Sequence, residues 1–125
     1  MGVDQKVVFA RERTPSWTSL ADLLASAGVS LQMRMIDGEL SFPEELPGEN
    51  WRELRVGIKS GMITLRRDVD GVTLVIWGNA DAELRQAWNA LAWGLAHLSG
   101  GTVGAQSADD FKVSAELPAG LKSSA

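Results

Sequence analysis

Three short turn signals do most to limit what this chain can fold into. Asp37-Gly38, Ser60-Gly61 and Asp70-Gly71 each separate apolar stretches. Asp-Gly between alternating apolar runs is the strongest local mark of a β-hairpin. A turn at Asp37-Gly38 sets Met35 opposite Leu40 and Met33 opposite Phe42. A turn at Ser60-Gly61 sets Ile58 opposite Ile63 and Val56 opposite Leu65, in a strand running from Trp51 to Ile58. A turn at Asp70-Gly71 sets Leu65 opposite Ile76 and Arg67 opposite Leu74. Apolar meets apolar throughout, so the three registers agree on which face is buried. Arg67 is the awkward member, and a position near an edge would let its long stem snorkel.

Two helices frame these strands. Thr14 can cap and Pro15 suits a first helical position, so a helix is expected over residues 15–27. Trp17, Leu20, Ala21, Leu24 and Ala27 share one face, and Gly28 suits the left-handed residue after the end. The second helix is expected over residues 81–98, capped by Asn79 or Asp81 and ended by Gly100-Gly101. Leu84, Trp88, Leu91, Leu95 and Leu98 form a narrow stripe along it. A short buried strand over residues 7–10 precedes everything else.

The order strand, helix, five strands in a meander, helix predicts an α+β domain. Its antiparallel sheet has about five to six strands, with both helices packed on one face. A helix-grip arrangement, a curved sheet wrapped around a long C-terminal helix, has a similar order and ranks second. Residues 1–104 are expected to form the domain. From 105 to 125 the composition turns to Gly, Ala and Ser and predicts a loosely held tail, with Phe111-Lys112-Val113 able to add an edge strand.

Composition narrows the function more by exclusion than by suggestion. At 125 residues a core can form without staples. The absence of Cys removes disulfides, thiolate catalysis and Cys-based zinc sites. The run Val7-Val8-Phe9-Ala10 is too short for a secretory signal, and no stretch approaches the ~18 apolar residues of a membrane span. A cytoplasmic location away from membranes is expected. The formal net charge of −4 disfavours nucleic acid.

No cofactor or metal motif is present in the sequence. His97 has Trp93 and Gly101 one turn away on either side and lacks the fixed partners that catalysis or metal binding needs. Asp68-Val69-Asp70-Gly71 has the wrong spacing for a calcium loop. Glu44, Glu45, Glu49 and Glu53 crowd one Pro- and Gly-rich stretch and read as a solvated acidic surface. An enzyme would need them to converge with Arg and His97.

Two surface features remain. Trp93 falls opposite the Leu stripe of the second helix, where a partner, the tail or the other helix has to cover it. The hairpin registers also place Arg34, Arg55, Arg66 and Trp77 on the outer face of the sheet, with Arg55 opposite Arg66. Arg and Trp are favoured interface residues. The expected function is a non-catalytic, protein-binding or regulatory module, of a partner-neutralising or adaptor kind, acting on a protein partner or through self-association. The alternative is a carrier of a small apolar ligand, in a cavity lined by Met33, Met35, Phe42, Trp88 and Leu91.

Overall fold

The computed structural model describes residues 2–121. Its strands are β1 (Gly2–Val8), β2 (Gln32–Ile36), β3 (Glu39–Leu40), β4 (Glu53–Ile58), β5 (Gly61–Asp68), β6 (Gly71–Trp77), β7 (Thr102–Val103) and β8 (Gln106–Ser107). Its helices are α1 (Trp17–Ser26), α2 (Ala82–Ser99) and α3 (Ala108–Ser114). The eight strands form one antiparallel sheet in the order β3-β2-β4-β5-β6-β1-β7-β8. The helices pack on its inner face, against the buried side chains of β4, β5, β6 and β1. The α+β class is therefore as the hairpins implied, with a larger sheet because the stretch after α2 adds β7 and β8. Among the described residues no helix is long and apolar enough to cross a membrane.

The first hairpin turns where its Asp-Gly pair requires. Asp37 and Gly38 both have positive φ, 50° and 85°, and Met35 faces Leu40. The other two turns sit one residue earlier than expected, at Lys59-Ser60 and Val69-Asp70, because Ile58 pairs with Gly61 and Asp68 with Gly71. The pairs become Val56 with Ile63, Leu54 with Leu65, Leu65 with Leu74 and Arg67 with Val72. A slide of two residues leaves every side chain on its original face, which is why the core is as expected while the partners differ.

Two expectations for this region fail. A bulge between Met33 and Met35 turns Met35 to the outer face beside Arg55, while Met33 stays inside against Val56. The strands also do not run as a simple meander. β2 pairs with β3 on one side and β4 on the other, so residues 41–52 carry the chain back around the end of β2. Phe42 consequently lies in that loop, 75% exposed, rather than opposite Met33.

Asp37 holds the returning loop. Its Oδ1 accepts from the backbone N–H groups of Arg52 at 2.7 Å and Glu53 at 2.9 Å. Those bonds, that of Glu53 first, hold its carboxyl below the ordinary value of 3.8. Asp37→Ala should cost about 1–2 kcal/mol, since it loses two charge-assisted bonds and places Ala at positive φ. Asp37→Asn, which tolerates that backbone, should cost less. The carboxylate's contribution is fully present above pH 3.8 and lost as pH falls through the lowered value. Urea unfolding at neutral and acid pH should show Asp37→Asn closing its gap to the wild type as the pH drops.

α1 begins later than Thr14-Pro15 suggested. Ser16 is the cap, its Oγ accepting from Ser19 N–H, while the Thr14 hydroxyl donates to Arg11 O and closes a 3-10 turn over Arg11–Arg13. The helix ends in a paired cap, with Gly28 N–H donating to Ala25 O and Val29 N–H to Leu24 O, and with Leu24 and Val29 both buried. α2 starts at Asp81, which accepts from Leu84 N–H at 2.8 Å, and ends at left-handed Gly100. Leu84, Leu91 and Leu95 of its stripe are buried, and Trp88 is partly buried, donating its indole N–H to Leu74 O. Leu98, expected in the core, is exposed in the last turn. α1 approaches α2 at Gly94, where an added Cβ would lie 2.8 Å from Leu20 Cδ1.

β1 is longer than the expected strand over residues 7–10 and is not buried on both faces: Val7 points inward and Val8 outward. It lies between β6 and β7. Its inward-facing Gln5 is satisfied by Asn89 of α2, a donor bond of 3.0 Å.

The stretch expected as a loose tail is built into the fold as far as Leu121. Ser107 caps α3 by accepting from Asp110 N–H, and Phe111, Leu117 and Leu121 are buried. Phe111-Lys112-Val113 is helical, not an edge strand, because Ser107 and the acidic first turn start a helix there. Asn89 donates to Glu116 O at 2.8 Å and Arg85 pairs with the Glu116 carboxylate at 3.3 Å, tying the segment to α2. The last four residues of the expected tail, 122–125, lie outside the described residues.

Candidate functional site

The five side chains singled out from the sequence do not stay together. Trp93 leaves the set: it is 5% exposed, packed beneath α3. Lys112 Nζ lies 5.1 Å from its ring centroid and His97 stacks on it at 4.8 Å. An outward position on α2 therefore corresponds to burial, because the α3 segment covers that side of the helix. Trp77, Arg34, Arg55 and Arg66 are all on the outer face of the sheet, opposite the helices.

Strand pairing fixes how that face is laid out. Thr64 lies between Arg55 and Val75, and Gly2 lies beside Trp77. Trp77, 67% exposed, stands at the end of β6, with Val75 on the same strand and half-exposed Met62 on β5. Arg34 lies across Gly57: an added Cβ there would meet its Nε at 2.7 Å. A side chain at position 57 would displace the guanidinium, so Gly57 leaves the bed on which Arg34 rests. The bulge in β2 brings Met35 to the same face, a member that strict alternation assigned to the core.

Arg55 and Arg66 are not directly opposed. The two-residue slide puts Arg55 across from Thr64 and Arg66 across from Glu53, with Arg66 Nε 3.6 Å from Glu53 Oε1. The like-charge conflict expected from the sequence is thus resolved by register. Arg34 and Arg55 have no carboxylate within 4 Å among the described residues. The far side of the face has its own ion pairs, one lysine between two aspartates: Lys6 Nζ lies 2.6 Å from Asp70 Oδ1 and 3.3 Å from Asp68 Oδ2. There the bond to Asp70 raises the lysine above its ordinary value and lowers the aspartate below its own. The face therefore has an apolar corner at Trp77, a strip with two uncompensated arginines, and an ion-paired cluster with one carboxylate in excess.

The residues expected to line an apolar cavity are dispersed. Met33 and Leu91 are fully buried in the core, Met35 is on the outer face, and Phe42 is in the exposed loop. The residues an enzyme would need are divided as well. Glu53 is on the outer face with Arg66, and His97 is on α2 against Trp93, across the sheet. No group of three or more His, Asp or Glu among the described residues is placed to hold a metal ion. Compared with protein-family models, with curated proteins and with solved structures, the chain shows no significant match.

Proposed function

We propose that the chain is a non-catalytic protein-binding module that engages an acidic partner through the outer face of its sheet. The observation that carries this reading is the exposed Trp77 at one corner of a face where Arg34 and Arg55 have no carboxylate partner. Trp and Arg dominate interface energetics, and an acidic surface supplies the missing counter-charge. The reading also fits the net charge of −4, since the basic strip is local and set against an acidic whole. Regulation or neutralisation of that partner follows from occupancy alone and needs no chemistry in the module.

The test is capture from the native cell, followed by affinity measurement with the purified partner. Trp77→Ala should weaken binding by about thirtyfold, the effect of a hot-spot truncation. Arg34→Glu with Arg55→Glu should weaken it further and slow association. Val113→Ser, an exposed position on α3, is the control. A partner held equally by all four proteins would defeat the proposal. Sedimentation as a dimer that Trp77→Ala converts to monomer would replace the acidic partner with a second copy of the chain.

A further inference from the structure

A second feature lies away from that face. The 3-10 turn over Arg11–Arg13, the start of α1 and the loop before β4 enclose an open cleft of about 500 Å³. Two tryptophans, Trp17 and Trp51, and two arginines, Arg11 and Arg67, line it. Its volume is in the range of small-molecule sites, about 300–1,000 Å³.

Arg67 is the unusual member. Its guanidinium lies over Trp51, 5.3 Å from the ring centroid, and its Nη1 donates to the backbone carbonyls of Glu49 at 2.7 Å and Trp51 at 3.4 Å. Its Nε is buried without an acceptor. Carbonyls satisfy part of its hydrogen bonding and none of its charge. Neither Arg67 nor Arg11 has a carboxylate within 4 Å among the described residues. Burial, and then the charge of Arg11, hold the Arg67 guanidinium below its ordinary value. Neither cation has a direct ion pair among the described residues, although Glu12 and Glu49 lie along the same cleft, and a partly buried cation in that condition is costly.

We propose that this cleft binds a small aromatic monocarboxylate, its carboxylate between Arg11 and Arg67 and its ring against Trp17. Arg67 Nη1 is held by two carbonyls and Nε is buried, which leaves Arg67 Nη2 and the exposed Arg11 guanidinium to meet a carboxylate. The tryptophan walls favour an organic anion over a bare inorganic one. Glu12 and Glu49 also line the cleft, so the formal charges of its lining residues sum to zero, and a monoanion meets less repulsion there than a dianion.

Amide and indole NMR shifts on titration of the full chain test this. Benzoate should give saturable shifts at the Trp17 and Trp51 indoles and at the backbone of residues 11–14 and 48–51. Benzyl alcohol, with the same ring and no charge, should not. Arg11→Gln, a change at an exposed position, should weaken benzoate by about tenfold, a loss of ~1.4 kcal/mol, and leave the rest of the spectrum in place. Arg67→Lys should also weaken it by losing the Nη2 donor and the planar group that rests over Trp51. Absence of shifts with benzoate, equal binding of benzyl alcohol, or tighter binding of inorganic phosphate would each overturn the assignment. The wild-type map decides even if a variant fails to fold, and none of these results depends on the outer-face partner.

Discussion

Gly71→Ala is expected to cost at least ~3 kcal/mol of folding stability, the combined scale of backbone strain and overpacking. A Cβ at Gly71 would lie 2.0 Å from Val7 O and 3.2 Å from Val8 Cα. Both are backbone atoms of a strand paired on each side, so no flexible side-chain end can move aside. The residue also has φ of +153°, which L-residues rarely adopt. Gly38→Ala separates the two causes. Gly38 has φ of +85° with nothing near its missing Cβ, so alanine there should cost only about 1 kcal/mol. Urea unfolding followed by tryptophan fluorescence measures both, and equal losses would show that the close approach of β1 is not what matters.

The second large effect is expected at Trp93. Trp93→Ala should cost about 3–5 kcal/mol, the range for removing a buried aromatic. It should also loosen α3, because the ring is the surface on which Lys112 rests. Hydrogen exchange of the amides in residues 106–121 should rise well beyond that of α2. Trp93→Phe should cost much less, since the indole Nε1 is buried without an acceptor and its loss removes an unsatisfied donor. Lys112→Ala should have a small effect, about 1 kcal/mol for a partly buried cation over an aromatic ring. If Trp93→Ala leaves exchange in α3 unchanged, the ring is not what holds that helix in place.

Much of the fold follows from local pattern. The helix caps at Asp81, Gly28 and Gly100 and the alternation in β4 to β6 mark the main elements and their buried faces. Register was less legible, because hydrophobic alternation repeats every two residues and cannot distinguish Leu65 opposite Leu74 from Leu65 opposite Ile76. The bulge at Arg34 and the return of residues 41–52 depend on contacts between distant segments, notably Asp37 with Arg52 and Glu53. α3 was hidden by weak composition. Its small polar residues do not mark a buried face, and Phe111 is the one residue of the helix that is buried.

The candidate surface divides along the same line. Face parity alone suffices to put Arg34, Arg55, Arg66 and Trp77 together. It could not supply the pairing of Arg66 with Glu53, nor remove Trp93 from the set. The cleft was out of reach for a different reason. Trp51 and Arg67 are far from Arg11 in sequence, and it is the path of the loop before β4 that brings them together.

The place of β1 in the sheet has a consequence for how the chain acquires its structure during synthesis. β1 is made before the other seven strands, yet the strand it joins ends at Trp77, and its other neighbour begins at Thr102. Until those arrive, the backbone groups of β1 have no partners, while β2, β4 and β5 can already assemble from consecutive segments. Closing so long a loop is a late and slow step for a sheet of this kind. Between the arrival of β6 and the insertion of β1, residues 2–8 are an unpaired strand and β6 offers an open edge, which is the condition under which two nascent copies can exchange the same element. The tight seat that Gly71 and Gly101 make for Val7 and Val8 then rewards the correct insertion, since a misplaced register would set a side chain where only glycine fits.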